Sequence, residues 1–178
     1  MPRPPCASWR GAGDRRMTGT RYGLATRDQV AGRSGRALLQ AIIDGDLPQA
    51  LIGRTLSFRM TEVGDGFAVF EGDPGEHLLN PLGSVHGGWA LTLIDSVTGC
   101  AGLSLLPPGE SFTTIETKAN FSRPILPGTG RVRAEGTVVS RGRQIISTEG
   151  RVLGPDGKLL AHGMSTLMVI PAARLAGG

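Results

Sequence analysis

One acidic residue stands alone in the centre of the sequence. Across the 33 residues from His77 to Gly109, Asp95 is the only carboxylate, and no lysine or arginine occurs there. Aspartate has a poor helix propensity, and in the middle of a helix it cannot serve as an N-cap. Its position among apolar residues indicates one of two things: a general base kept for chemistry, or a structural side chain that bonds Thr92 or Thr98 on a solvated helix face.

A second group with chemical potential precedes this carboxylate: His86, Gly87 and Gly88. The start of a helix gathers free backbone N–H groups and the positive end of the helix dipole, and glycines let a ligand come close to that backbone. The Gly87 N–H is therefore a candidate oxyanion donor, and Asn80 on the preceding loop is a candidate to orient a water or donate a second hydrogen bond. The same motif is also typical of a plain glycine-rich helix entry, and His86 of a structural histidine, so Asp95 is the preferred base.

The helix that would carry these groups is indicated by an apolar stripe. Apolar residues recur at helical spacing at Ala90, Leu93, Ile94, Val97 and Ala101. This spacing predicts about four helical turns with one face to bury, ended by Pro107, Pro108 and Gly109.

Strands and one shorter helix are predicted around this central helix. Helical spacing of Leu38, Leu39, Ile42 and Ile43 predicts a leading helix that ends at 44–46. Alternation predicts a hairpin over 56–69 with its turn at Gly64-Asp65-Gly66, then strands over 113–122, 131–140, 144–153 and 158–170. The last four strands can pair as an antiparallel meander. Because only the central helix can cover the apolar face of the sheet, the fold class is α+β, with a curved antiparallel sheet of about six strands wrapped around that helix.

The net charge of +4 is unevenly distributed along the 178 residues. Residues 1–36 hold eight arginines against two aspartates, whereas 37–178 hold eleven basic and thirteen acidic residues, a net charge of −2. The arginine-rich segment has few large apolar residues and no periodicity, so we expect a disordered basic extension over 1–36, a domain over 37–170 and a C-terminal tail over 171–178. An electrostatic arm for nucleic acid or an anionic membrane is the less favoured interpretation of this extension, because arginines need aromatic or motif support to be specific. A solvated tail is favoured, so no nucleic-acid partner is expected.

Several functional classes are excluded by missing motifs. Cys6 and Cys100 are too far apart in sequence to suggest a disulfide framework or a metal site, and no metal is expected. An apolar run of about 18 residues and a secretory signal are both absent, so we expect a cytoplasmic protein without a membrane span. The sequence also lacks a phosphate-binding P-loop and a Gly-x-Ser-x-Gly nucleophile elbow.

Taken together, the motifs resemble those of the hotdog-fold acyl-CoA thioesterases, of the phenylacetate-pathway and 4-hydroxybenzoyl-CoA thioesterase type. The resemblance covers roughly residues 37–170. Its motifs are Asn80-Pro-Leu-Gly-Ser-Val-His86-Gly87-Gly88, Leu93-Ile94-Asp95-Ser96, Lys118-Ala-Asn-Phe121-Ser-Arg123-Pro124, Ser140-Arg141-Gly142-Arg143 and Gly157-Lys-Leu-Leu-Ala161-His-Gly163.

The resemblance implies a hotdog fold and a set of catalytic roles. Asp95 would act on water as a general base, or on the thioester carbonyl as a nucleophile. The Gly87 N–H would bind the carbonyl oxygen, Asn80 would help to place the water, and His86 belongs to the same catalytic motif. Similar enzymes carry an assisting hydroxyl on the following strand, where both Thr113 and Thr114 are candidates, and the register from Pro124 favours Thr114. The family builds its sites across a dimer interface, which implies a homodimer and a dimer of dimers.

Binding of coenzyme A requires local positive charge, because the domain itself is mildly acidic. The candidates are Arg123, Arg141 and Arg143, whose guanidinium groups suit phosphate oxygens. The substrate-binding set taken from the resembling motifs is completed by Gly88, Phe121, Ser140 and Gly142. Coenzyme A would be part of the substrate, and no separate cofactor is expected.

Two functions of different classes remain open. The first is hydrolysis of a medium-chain or aromatic acyl-CoA, and the second is a non-catalytic acyl-CoA-binding or regulatory protein with the same pocket. An isolated buried carboxylate favours the first, because it costs stability and repels an anionic ligand without serving a pure binder. Hydration of a double bond is a distant third function, since the Asp/His arrangement of hydratase relatives is not found.

Overall fold

The structure, a computed structural model, describes residues 20–171. Within them the chain forms four α-helices and six β-strands. The helices are α1 (Arg27–Val30), α2 (Gly35–Asp44), α3 (Leu51–Thr55) and α4 (Gly87–Leu103). The strands are β1 (Phe58–Gly64), β2 (Phe67–Gly72), β3 (Ser111–Phe121), β4 (Val132–Arg141), β5 (Ile145–Leu153) and β6 (Leu159–Ile170). The predicted leading helix, the hairpin and the long central helix are confirmed.

All six strands form one antiparallel sheet with the order β1-β2-β4-β5-β6-β3. The predicted meander of the last four strands is correct only for β4, β5 and β6. β3 does not pair with β4; it crosses to the far edge and pairs with β6, and β2 lies beside β4 instead. The crossing is possible because 122–131, between β3 and β4, is long enough to pass the end of the sheet.

The core lies between α4 and the concave face of the sheet. The predicted apolar stripe of α4 is buried, with Leu93, Ile94, Val97 and Ala101 all at 0% exposure. These side chains meet inward-facing residues of the sheet, among them Phe70, Val132, Ala134 and Val152. Each fully buried Leu, Ile or Val contributes about 1.5–3 kcal/mol relative to an exposed one, so this face alone holds α4 on the sheet.

A row of three glycines lets α4 come close to the sheet. Gly136, Gly150 and Gly163 are directly opposite one another on β4, β5 and β6. A Cβ at Gly136 would collide with the Val97 carbonyl, and one at Gly150 would lie 3.1 Å from Thr98 Cγ2. We call Gly136, Gly150 and Gly163 the glycine row; it places the middle of α4 at a fixed point above the sheet.

The boundary predicted at residue 36 is wrong for the part that the structure describes. Tyr22 forms a β-bridge with Gln49, Thr26 caps α1, and the Gly35 N–H donates to the Leu106 carbonyl at 3.0 Å. These backbone contacts hold 20–36 on the domain despite the low apolar content of that segment. The remainder of the predicted extension, 1–19, and the tail over 172–178 lie outside the described residues.

None of the helices between residues 20 and 171 combines the length and apolar character needed to cross a membrane.

Candidate functional site

Asp95 lies in the middle of α4 on its β3 side, where its side chain is half-buried. The Thr117 hydroxyl donates to Asp95 Oδ1 at 2.9 Å, and Oδ2 has no partner within residues 20–171. The alternative that the Asp95 side chain bonds Thr92 or Thr98 does not hold. The Thr92 hydroxyl donates to the Gly88 carbonyl, and the Thr98 hydroxyl contacts the backbone carbonyls of Ile94 and Asp95. One carboxylate oxygen is therefore fixed by a strand hydroxyl, and the other is left available to a water or substrate.

Thr117, and not Thr114, is the strand hydroxyl beside Asp95 in one protomer. A β-bulge interrupts β3 between Thr114 and Glu116, so both threonines lie on the side that faces α4. Thr114 pairs with Leu167, whose side chain packs at the level of Gly102. Gly102 is seven residues beyond Asp95, about 10 Å along the helix axis. The sequence did not predict Thr117, because alternation with a period of two does not reveal a β-bulge.

His86 caps the N-terminus of α4. Its Nδ1 accepts a hydrogen bond from the Gly88 N–H at 2.9 Å, which places the proton of the neutral imidazole on Nε2. The Gly88 amide is therefore already engaged. The Gly87 N–H has no partner in the described part of the chain, so it is the free amide at the positive end of the helix dipole.

Asn80 holds the loop that leads into α4. Its Oδ1 accepts from the Leu82 and Ser84 amides at 2.9 and 3.3 Å, and its Nδ2 donates to Ser84 Oγ at 2.8 Å. This side-chain turn fixes the course of the backbone from Asn80 to Ser84. One Nδ2 proton is left for a ligand, so the predicted contact with water would use that proton alone.

An open cleft of about 310 Å³ lies beside the start of α4. His86, Gly87 and Ala90 form one side, and Phe121 and Arg123 with Leu160 form the other. A Cβ at residue 87 would lie 3.1 Å from the Phe121 ring, so the missing side chain of Gly87 makes room for that ring. The structure thus brings five predicted site residues together at one cleft: Asn80, His86, Gly87, Phe121 and Arg123.

The second group of predicted coenzyme A ligands lies elsewhere in the protomer. Arg141 ends β4, and its guanidinium donates to the Leu105 carbonyl, just beyond the C-terminus of α4, at 2.6 Å. The turn that includes Gly142 and Arg143, with the neighbouring Ser140, is therefore at the opposite end of a helix about 25 Å long from Gly87. One protomer does not place Arg123 and Arg141 on the same ligand.

Cys100 follows Asp95 by just over one helical turn. Burial, together with the negative charge of Asp95, raises the pKa of the Cys100 thiol to about 12. The thiol is therefore neutral at physiological pH and is not a competing nucleophile. No set of three His, Cys, Asp or Glu side chains between residues 20 and 171 is arranged to hold a metal ion.

The free amide and the carboxylate are far apart within one protomer. Gly87 and Asp95 are eight residues apart on one continuous helix, which separates them by about 12 Å along its axis. An oxyanion donor must lie about 3 Å from the carbonyl oxygen, and the base must reach the attacking water at a similar distance. The two groups of one chain therefore cannot act on one carbonyl.

Comparison with known proteins agrees with this fold and these motifs. Residues 82–161 match the family described as the thioesterase superfamily. A curated Haemophilus influenzae protein, which is described as an inferred esterase, is 30% identical over 92 residues. That match covers 52% of this chain, and this chain spans 65% of the length of that relative.

Two solved structures share the architecture. A phenylacetic acid degradation-related protein of Ralstonia eutropha JMP134 is 27% identical, with a TM-score of 0.66 over 73% of this chain and 98% of that chain. A Streptococcus mutans UA159 protein, solved bound to acetyl-CoA, is 22% identical, with a TM-score of 0.59 over 65% of this chain and 90% of that chain, and this likeness concerns the fold alone. The resemblance predicted from the sequence is confirmed: this chain is a hotdog-fold protein whose residues 82–161 match the thioesterase superfamily.

Proposed function

We propose that this protein hydrolyses the thioester bond of an acyl-CoA, with a medium-chain or aromatic acyl group, to the free acid and coenzyme A. The observation that carries the proposal is the pair of unengaged groups on α4: the Gly87 N–H at its start and Oδ2 of Asp95 at its middle. A preorganised donor for an oxyanion and a carboxylate for water are the two groups that thioester hydrolysis needs. The superfamily match over residues 82–161 supports the same reaction.

The proposed site is shared between two subunits. Because Gly87 and Asp95 of one chain are about 12 Å apart, a single carbonyl would take its amide from one protomer and its carboxylate from the other. β3 is the edge strand that carries Thr117 next to Asp95, and its free edge is a natural place for a second copy to pair. The functional unit is therefore a homodimer, which a dimer of dimers would preserve.

The reaction uses water and these groups alone. Asp95 takes a proton from water as the water oxygen bonds to the thioester carbon, and the carbonyl oxygen becomes an oxyanion held by the Gly87 N–H. Collapse of this adduct breaks the C–S bond, and the proton on Asp95 passes to the leaving sulfur. Thr117 takes the assisting role first assigned to Thr114, since its hydroxyl holds Asp95 Oδ1.

Substrate contacts are expected along the cleft. The Phe121 ring, 56% exposed, offers an apolar surface next to the Gly87 amide. Arg123 lies on the cleft wall, where one guanidinium nitrogen donates to the Leu159 carbonyl at 2.6 Å, and its remaining N–H groups could bind a phosphate. Coenzyme A enters as part of the substrate, and no further cofactor takes part.

The test is release of free thiol from a panel of aliphatic and aromatic acyl-CoAs. We expect turnover by the wild type and a loss of about 100-fold or more in Asp95→Asn, because the amide cannot accept the proton. Asp65→Asn is the matched control, since Asp65 is an exposed acid on the β1–β2 turn, and it should keep wild-type activity. No turnover of a panel whose members still bind would favour the non-catalytic acyl-CoA-binding function.

A further inference from the structure

Three hydroxyl groups form a chain behind the proposed base. Thr117 on β3 is directly opposite Ser165 on β6, and their hydroxyl oxygens are 3.0 Å apart. Ser165 Oγ is also 2.7 Å from Thr98 Oγ1, which reaches the Ile94 carbonyl at 2.8 Å. With the contact of 2.9 Å from Thr117 to Asp95 Oδ1, four short O···O distances run from the carboxylate to the backbone of α4.

This chain of hydroxyl groups has fewer protons than hydrogen-bond contacts. Three hydroxyls supply three protons, whereas there are four short O···O distances to fill, so one contact always lacks a proton. If the empty contact lies on either side of Ser165, Thr117 donates to Asp95 and Thr98 donates to the Ile94 carbonyl. If it is the one at the Ile94 carbonyl, all three protons point toward Asp95. If it is the one at Asp95, all three point away from the carboxylate and Thr98 donates to the Ile94 carbonyl.

The charge on Asp95 selects between the arrangements in which Thr117 donates to Asp95 and the one in which it does not. An ionised carboxylate is a much stronger acceptor than a carbonyl, so it holds the Thr117 proton on itself and favours Ser165 donating to Thr117. A neutral carboxyl competes poorly with the backbone carbonyl of Ile94, so the hydrogen bonds of the three hydroxyl groups reverse direction. Thr98 and Ser165 are buried, at 0% and 3% exposure, and no water competes for these contacts.

Resting on the proposed hydrolysis, we propose that Thr98 and Ser165 are positioning residues that fix Thr117 on Asp95 and reverse their hydrogen bonds when Asp95 takes the proton from water. Neither residue touches the substrate; both act through Thr117. The chain stabilises the charged base before the proton transfer and gives the released hydroxyl protons a second set of acceptors after it.

No ionised group other than Asp95 itself faces the chain from the packed elements within residues 20–171. On α4 the nearest titratable group is Cys100, whose thiol is neutral because its pKa is about 12. The charged residues of the neighbouring strands alternate to the outer face of the sheet: Glu116 and Lys118 on β3, Glu149 and Arg151 on β5, and His162 on β6.

The chain is tested with Ser165→Ala and Thr98→Val in the intact protein. We expect each variant to lower kcat by about 3- to 10-fold with KM within about twofold, because substrate contacts are untouched. Thr98→Ser, which keeps the hydroxyl, should restore most of kcat. Thr148→Val is the matched control: its buried hydroxyl donates to the Ser165 backbone carbonyl at 3.1 Å and stands outside the chain, so kcat should not change. Wild-type kcat in both chain variants, or an equal loss in the control, would overturn the proposal.

Reversal of the hydrogen bonds along the hydroxyl chain can be tested by measuring kcat in mixtures of light and heavy water. If several hydroxyl protons move with the proton transfer, the wild-type kcat should fall along a curve as the deuterium fraction rises, and Ser165→Ala should give a straight line. A straight line for the wild type would remove the reversal from the proposal and so contradict it.

The experiments distinguish failure of the proposed hydrolysis from failure of the proposed hydroxyl chain. If no acyl-CoA is hydrolysed, unfolding equilibria of Asp95→Asn, Ser165→Ala and the double variant still report on the chain. The Asp95 carboxylate and the Ser165 hydroxyl do not contact each other and are joined by the Thr117 hydroxyl, so we expect the two effects to be coupled by about fivefold in the unfolding equilibrium constant. Additive effects would show that no chain links them.

Discussion

At the scale of single residues, the chemistry depends on which oxygen of Asp95 is occupied. Oδ1 is held by Thr117, and Oδ2 is open within the described part of the chain. A carboxylate bound on one side keeps a fixed orientation but retains an unengaged acceptor, which is the state that a general base requires. The neutral thiol of Cys100 cannot replace it, because burial and the charge of Asp95 both oppose the thiolate.

Substitutions of Thr117 and Thr114 on β3 distinguish the hydroxyl assigned from the structure from the one assigned by sequence register. Thr117→Val removes a hydrogen bond to a charged group, an interaction of about 1.5–3 kcal/mol, so we expect kcat to fall about 10- to 100-fold. Thr114→Val should leave kcat within about twofold, since Thr114 lies opposite Leu167, away from Asp95. Steady-state kinetics with one acyl-CoA decides the matter. A greater loss in Thr114→Val would return the role to Thr114.

The residues of the candidate site were predictable to different degrees. Asp95 and Gly87 stand out in the sequence because charge isolation and a helix start are local properties. The partner of Asp95 was not predictable, because a single extra residue in β3 changes which threonine faces it. The division of the basic candidates, with Arg123 on the cleft and Arg141 at the other end of α4, also depends on long-range packing that no motif encodes.

At the scale of elements, the position of α4 depends on the glycine row. Gly136→Ala would push a methyl group into the Val97 carbonyl, and the backbone of a helix cannot move aside as a side chain can. We expect the free energy of unfolding to fall by about 1–3 kcal/mol, measured by guanidinium denaturation. Gly128→Ala is the control, because a Cβ there meets open space, and it should change stability by less than about 0.5 kcal/mol. Equal effects of the two changes would mean that the row does not set the packing.

The elements themselves follow from periodicity, whereas their order in the sheet does not. Every predicted strand exists, yet β3 pairs with β6 at the edge. Alternation indicates only that one face of β3 is buried, and it is equally satisfied by either neighbour. The order is decided by how the chain wraps α4, which is a property of the complete sheet.

At the scale of the whole molecule, the shared site predicts rescue between two inactive variants. Gly87→Pro removes the free amide at a position where proline suits a helix, and Asp95→Asn removes the base. Each homodimer should be inactive. After the subunits are mixed and exchanged, half of the dimers carry one intact site out of two, so about a quarter of wild-type thiol release should return.

Matched controls make this mixing experiment decisive. Each variant must be shown to be dimeric by light scattering before the exchange, and Asp95→Asn mixed with Asp65→Asn serves as the reference for subunit exchange. If the mixture of the two inactive variants stays inactive although exchange is demonstrated, both groups must act within one chain, and the shared site is wrong.

The glycine row also determines how the length of α4 can vary. Each residue turns an α-helix by 100° but advances it by only 1.5 Å, so an insertion changes orientation much more than position. Since Val97 and Thr98 are seated on Gly136 and Gly150, one residue inserted just after Asp95 would rotate the preceding turns away from β3. The helix would stay intact while its carboxylate pointed at a different element. The rotation of α4 about its own axis is thus fixed at its middle, and only changes in length at its two ends would leave Asp95 facing β3.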